Sequence, residues 1–493
     1  MRHGMTSCKC LSSLVTSLTL FVYDKAYAQN LSTADVGIVT QRLAQGATHS
    51  WEYGARAEVL LELNTPSYSV FSPTSLPPPQ QIPSNLTSSL SDVIGIAHMI
   101  VANRSTSNRN ITGPQPLMSD NATGDPASIG VAVLLANWTG QGAVDGLDYA
   151  GAARDQLEFL LSNVSRTHDG AISQRTDQVQ LWSDFVYMAP PFLAYYGVMM
   201  GNQSLVQEAY NQVRLYRKYL RNSNASNIWK HIQLGVYGTD NGHWSTGIVH
   251  LLSVDSIEIS SQRVIGNGWA AAGMLRVLST IKQSQFSTSM MSQQQDLADW
   301  VQEIHDGMYS YLDSSGLFHN YADNSSTFTD ASSTALLAST VYRLSLLWGV
   351  DKHIPVAELC RRTLSAPAGS AVDISTAGTG TVSVPSSTTT TTPTASAPYA
   401  SSTATGIPGL LHFTPDGWLT PVVNPYSYPD QGQQSPESEA FVIAMQAAWR
   451  DWVSNGTTGA NADANANGTV SPLARVSWAW IVVDAMVVTF LLC

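Results

Sequence analysis

Asp184 is the carboxylate in this chain whose setting most demands a chemical reason. It lies inside Leu181-Trp182-Ser183-Asp184-Phe185-Val186-Tyr187-Met188-Ala189-Pro190-Pro191-Phe192-Leu193-Ala194-Tyr195-Tyr196, a long aromatic and aliphatic run. A charged carboxylate in apolar surroundings is costly unless it is paired, and desolvation raises its pKa toward the range a general acid needs near neutral pH. The competing role for an aspartate there is capping a helix. The indoles of Trp182, Trp244 and Trp269 offer flat apolar faces, more often used for core packing than for holding a ligand. Asp169 precedes Gly170, as turn aspartates do. His231 has no acidic or cysteine partner at ligand spacing, so no metal centre is expected. With no glycine-rich nucleotide loop and no Ser-His-Asp order, no cofactor is expected either.

These residues need a scaffold, and the spacing of apolar residues predicts a helical one. Intervals of three and four recur in Val206, Tyr210, Val213, Tyr216 and Leu220, in Leu297, Trp300, Val301, Ile304 and Met308, in Leu337, Val341, Leu344 and Leu347, and in Phe441, Met445, Ala448 and Trp452. Further helices are expected near 33–46, 50–63, 89–102, 127–137, 147–162, 184–200, 268–283 and 354–364, the first opened by the capping residues Ser32-Thr33-Ala34-Asp35. About a dozen helices without convincing alternating strands point to an all-α array of hairpins, closed into a toroid or stacked as a solenoid. Residues 65–84, with Pro77-Pro78-Pro79, read as an irregular loop, and the Ser/Thr-rich stretch 365–406 as a long loop within one domain spanning 29–454.

Composition narrows the class of partner. In 493 residues, 36 acidic against 24 basic side chains give a net charge of -12 without a basic stripe, which argues against nucleic acid. Residues 1–28 carry the pattern of a secretory signal peptide, ending in Ala26-Tyr27-Ala28. Residues 455–475 read as a low-complexity stalk, and 476–493 as an apolar tail that is a lipid-anchor signal, with a membrane span as the alternative. Asn-x-Ser/Thr acceptors at Asn30, Asn85, Asn103, Asn110, Asn121, Asn137, Asn163, Asn202, Asn224, Asn324, Asn455 and Asn467 fit a secreted or surface-bound protein attached to membrane or cell wall. Cys360 is then the lone cysteine of the mature chain, so stability must come from core size and not from disulfides.

The Asp184 segment resembles glycoside hydrolase families 88 and 105, the unsaturated glucuronyl and rhamnogalacturonyl hydrolases, whose W-x-D-x-x-Y/F-M-x-x-P-F-L-A segment carries the catalytic Asp. Here it reads Trp182-Ser183-Asp184-Phe185-Val186-Tyr187-Met188-Ala189-Pro190-Pro191-Phe192-Leu193-Ala194. Weaker echoes at Asp169-Gly170-Ala171-Ile172, Gly316-Leu317-Phe318-His319-Asn320, Thr329 to Ala335 and Ser435 to Phe441 extend the likeness over about 125–455, that of a secreted, fungal-type member. The resemblance implies an (α/α)6 barrel of six helical hairpins. It also implies hydration of a C4–C5 double bond in a terminal uronic acid, with Asp184 donating the proton and assisting water. The released product would be the remaining oligosaccharide.

A second family signature, W-x-R-G-N-G-W, is divided here into Trp244-Ser245-Thr246-Gly247 and Asn267-Gly268-Trp269, with Ile248 to Gly266 between them as an insertion or a retained in-frame intron. Thr246 stands at the family's arginine position, and threonine cannot bind a carboxylate by two parallel hydrogen bonds. Trp229-Lys230-His231 falls where the family carries a pocket histidine. The implied substrate-binding set is therefore His231, Trp244, Asn267, Trp269 and Trp182, with His243 a weaker candidate. Two rival functions are a surface glycan-binding protein that lost its activity and an anchored α-mannanase or transglycosidase. The latter depends on an Asp-Asp pair that the chain does not contain.

Overall fold

A computed structural model describes residues 30–107, 113–119, 121–239, 241–243, 245, 266–370, 406–424 and 427–460. Besides the single turn Gly142–Asp145, the helices in chain order are α1 Thr33–Gly46, α2 Ser50–Asn64, α3 Thr87–Ser107, α4 Gly130–Trp138, α5 Tyr149–Glu158, α6 Phe185–Met188, α7 Pro190–Met199, α8 Gln203–Leu220, α9 Asn267–Lys282, α10 Met291–Met308, α11 Ala331–Trp348, α12 Ile354–Leu364 and α13 Pro436–Ser454. Three two-residue to six-residue ladders accompany them: β1 Leu181–Trp182 with β2 Ile232–Gln233, β3 Phe318–His319 with β4 Thr329–Asp330, and β5 Val422–Asn424 with β6 Ser427–Gly432.

The inner helices close a ring. α2 packs on α13 and on the 3-10 turn Asp125–Ile129 that enters α4; this turn and α4 pack on α6 and α7; these pack on α9, α9 on α11, and α11 on α13. Outside the ring, α1 lies on α13, α3 on α2 and α4, α5 on α4, α8 on α7, α10 on α9 and α12 on α11. The architecture is the (α/α)6 barrel. The difference between layers follows from the residues. Inner α9 is buried on every side from Asn267 to Ile281, whereas outer α8 buries only one stripe, including Leu205, Val206, Ala209, Val213, Tyr216 and Leu220. The Ser32 capping box forms as expected, with Ser32 accepting from the Asp35 backbone and Asp35 from that of Ser32.

Two local readings change. The helix expected over 184–200 is broken at Ala189, because Pro190 lacks an amide hydrogen to continue α6 and instead starts α7. The short ladders were not expected at all. At two to six residues they lie below the length at which alternation is visible, and β1–β2 is the one that carries the site.

Cys360 is the only cysteine among the described residues; it is buried and its thiol is pushed up to about 12 by desolvation. None of the described helices is long and apolar enough to cross a membrane. The signal segment 1–28, the bulk of the Ser/Thr-rich loop (371–405) and the tail 476–493 fall outside the described residues, as do Trp244 and 246–265.

Candidate active site

β1 and β2 bring the two leading site residues together. Trp182 pairs with Ile232, and the next residue along, Ser183, donates its amide to the His231 carbonyl at 2.9 Å. Asp184 then starts α6, whose single turn hangs from its carbonyl through the amides of Tyr187 and Met188. Its carboxylate makes no capping bond to that helix. Instead Oδ2 lies 2.8 Å from His231 Nε2, and Oδ1 has no hydrogen-bond partner from another residue. An aspartate that serves as a cap looks different: Asp330 accepts from the amides of Ser332 and Ser333 at the start of α11.

Burial sets the electrostatics of the pair. Asp184 is 5% exposed and His231 fully buried. Desolvation raises the Asp184 carboxyl to about 8 and holds the His231 imidazole well below its ordinary value, helped by the nearby His243. Both members are therefore driven to their neutral forms near pH 7: a carboxylic acid beside a neutral imidazole. This is the state required of a proton donor.

The walls come from several elements. Trp182 lies edge-on to the His231 ring at 5.4 Å between centroids and donates its indole hydrogen to Gln180 Oε1. Gly266 passes so close that a Cβ there would lie 2.1 Å from Ser183 Oγ and 3.3 Å from Asp184 Oδ1. The GNGW motif therefore meets the acid through its first glycine, at Gly266. His243 bonds Asp323 Oδ2 through Nδ1 at 2.8 Å and Asn222 through Nε2 at 2.9 Å.

Asn267 and Trp269 sit behind this surface. Both amide atoms of Asn267 are used by the main chain of Trp229, Oδ1 accepting from its amide at 2.8 Å and Nδ2 donating to its carbonyl at 3.1 Å. Asn267 thus holds the segment that presents His231. Trp269 is expected to line the pocket, but it is fully buried, edge-on to Tyr187 at 4.3 Å and to Phe441 at 4.7 Å. Residues 267 and 269 are about 200° apart around α9, so once Asn267 faces Trp229, Trp269 must turn into the barrel. Asp169 is a turn staple, bonded to Lys218, Tyr219 and Thr167. Among the described residues no group of His, Cys, Asp and Glu is arranged to hold a metal ion.

One carboxylate near the site goes unnoticed in the sequence. Asp125, 6% exposed at the turn into α4, accepts from Gln174 Nε2 at 2.7 Å. Tyr216 feels the charges of both Asp125 and Asp184, and its ring stacks on Phe185 at 4.6 Å. The available signal was Asp-Pro followed by an unbroken apolar helix, with nothing to link it to residue 184.

The Asn267 staple carries a prediction. Asn267→Ala leaves the Trp229 amide buried without its acceptor, which should cost about 1–3 kcal/mol in urea unfolding, and should lower kcat because His231 is no longer held against Asp184.

Comparison with known proteins agrees with this architecture. A possible member of the GH105 family from Salmonella enterica serovar Paratyphi A aligns over 86% of this chain and 95% of its own with a TM-score of 0.54 at 13% identity. A family 105 glycoside hydrolase from C. acetobutylicum aligns over 84% and 99%, with a TM-score of 0.54 at 12% identity. A family 88 glycosyl hydrolase from Bacteroides vulgatus aligns over 85% and 99%, with a TM-score of 0.51 at 12% identity. At such identities these likenesses speak for the fold. No curated protein matches the chain. The family model described as Glycosyl Hydrolase Family 88 matches residues 132–406, more than half the sequence and the part that contains Asp184 and His231. A six-hairpin barrel with a neutral buried acid at the start of an inner helix is thus joined to a family-wide sequence match, and the chain belongs to Glycosyl Hydrolase Family 88 as a glycoside hydrolase.

Proposed function

We propose that this glycoside hydrolase removes a terminal unsaturated uronic acid from an oligosaccharide by hydrating its C4–C5 double bond, with Asp184 as the acid. The observation that supports this most directly is Asp184 itself: buried, raised to about 8, bonded through Oδ2 to His231 and with Oδ1 unbonded. Hydration of an enol ether begins with a proton, so a single neutral carboxylic acid suffices, and no second carboxylate nucleophile is required. In the imidazole tautomer with hydrogen on Nε2, His231 donates to Oδ2 and leaves the acid proton on Oδ1. That proton passes to C4, the new carboxylate takes a proton from water as its oxygen bonds to C5, and the resulting hemiketal opens and releases the remaining glycan.

The same reading places the enzyme outside the cell. All ten described Asn-x-Ser/Thr acceptors, every one of the twelve except Asn110 and Asn467, are exposed or half-buried. Release of N-glycans by an endoglycosidase from protein made in a secreting eukaryotic cell, with the expected drop in mass, tests that placement.

The decisive activity test is incubation with a panel of unsaturated oligosaccharides while the absorbance of the double bond is followed. Loss of absorbance with release of a shortened glycan is expected. Binding without any loss would overturn the hydration reading in favour of a glycan-binding role. Running the protein with and without residues 248–266 shows in addition whether the insertion limits turnover.

A further inference from the structure

Seven large hydrophobic side chains are exposed among the described residues, and three of them, Leu234 at 39%, Val236 at 90% and Tyr237 at 51%, fall within one five-residue loop. We propose that this loop, Leu234 to Gly238, is the platform for the leaving-group sugar of the substrate, the ring that is released when the terminal uronic acid departs. The inference rests on the hydrolase reading above.

The loop is rigidly built. Gln180 Nε2 donates to the carbonyls of Leu234, Tyr237 and Gly238 at 3.3, 2.9 and 3.2 Å, while its Oε1 accepts from the Trp182 indole. Gln178 accepts from the Val236 amide at 2.8 Å and donates to the Tyr237 carbonyl at 3.0 Å. The Tyr237 hydroxyl donates to Asp177 Oδ2, which is itself paired with Arg175. Gly235, at φ 85°, approaches so closely that a Cβ would lie 2.7 Å from Gln178 Oε1. Leu234 adopts φ 68°, a left-handed conformation that a branched side chain reaches only at some cost. Apolar side chains are thus turned outward by a fixed scaffold, where an unconstrained loop would fold them in.

Position and size select the occupant. The loop follows β2 directly, and Gln233 pairs with Leu181, three residues and therefore no more than roughly 10 Å of chain before Asp184. Its base is the same Gln180 that orients Trp182 beside His231. Five residues are far fewer than the 20–30 on each side of a standard protein interface. A pyranose ring fits this scale, its C–H face on the Tyr237 ring and Val236 and its hydroxyls toward the flanking amides and Asp177.

The test compares two substrates that share the unsaturated uronate, one with a glycan leaving group and one with a methyl group in its place. For Tyr237→Ala, and separately for Val236→Ser, the ratio of kcat/KM for the glycan to that for the methyl compound should fall about tenfold for the tyrosine, chiefly through KM, and less for the valine. Tyr237→Phe, which keeps the ring and loses the bond to Asp177, should restore most of the ratio. Equal losses on both substrates, or no change in the ratio, would overturn the platform and leave the hydrolase reading standing. A parent protein inactive on both substrates overturns both.

Discussion

Asp184→Asn should lower kcat on an unsaturated oligosaccharide by about 10² to 10⁴-fold while leaving the helical circular dichroism and the affinity for substrate close to those of the parent. The replacement keeps shape and a hydrogen-bonding group opposite His231 Nε2 but has no acidic proton to give. A variant retaining more than about a tenth of the parent rate would remove Asp184 as the acid. The same residue fixes a pH dependence. Burial raises its carboxyl to about 8, so kcat/KM should hold near neutrality and fall as pH rises through about 8, where the acid is lost. His231 should add no break near pH 6.5, since desolvation and His243 keep it neutral there. Stability follows the same group. The unfolded carboxyl titrates near about 4, so between about 4 and 8 the folded protein holds a proton that the unfolded chain has released. The stabilising contribution is complete below about 4 and is lost as pH rises through 8. The asparagine variant should show a flatter dependence of unfolding free energy on pH across that window.

The reach of the sequence ends where contacts stop being local. Asp184 could be recognised because its neighbours in the chain help build its surroundings: Ser183 shares with it the close approach of Gly266, and Trp182 packs edge-on to the His231 that bonds it. The twelve helical segments were legible for a similar reason, since an apolar stripe repeats every three or four residues within each one. His231 became a candidate through a family resemblance, but its 2.8 Å bond to Asp184 arises from a ladder of two-residue strands too short to leave a pattern. Asp125 approaches only when the ring closes the turn into α4 against α6. Trp269 shows the opposite case: a motif residue expected to line the pocket is packed between Tyr187 and Phe441, on the side of α9 that helix phase sets opposite Asn267.

Replacing Arg276 by methionine should destabilise the barrel by about 3–5 kcal/mol in urea unfolding, the largest stability effect expected of any single change here. Arg276 on α9 is 5% exposed and pairs with Glu58 at 3.0 Å and with Glu62, both on α2. Arg343 on α11 takes the other oxygen of Glu62 at 2.9 Å and reaches Asp451 on α13 at 2.6 Å. Four of the six inner positions of the ring are thus tied through one ionic network, spread over almost 400 residues of sequence with no local sign of it. The guanidinium of Arg276 also lies 5.0 Å from the Tyr187 ring, and Tyr187 bonds Glu58, so the network touches the α6 turn that presents Asp184. Burial raises Glu58 to about 7 even though Arg276 pulls it down. Without the arginine, Glu58 rises further and can escape its unpaired charge by protonation. The deficit of Arg276→Met should therefore be smaller at pH 5 than at pH 8, where the carboxylate must be buried as an anion. A loss independent of pH would assign the cost to packing against Tyr187 and Phe71 and not to charge. Adding Glu58→Gln to the variant should recover part of the stability lost at pH 8 and little of that lost at pH 5, because it removes the charge left without a partner.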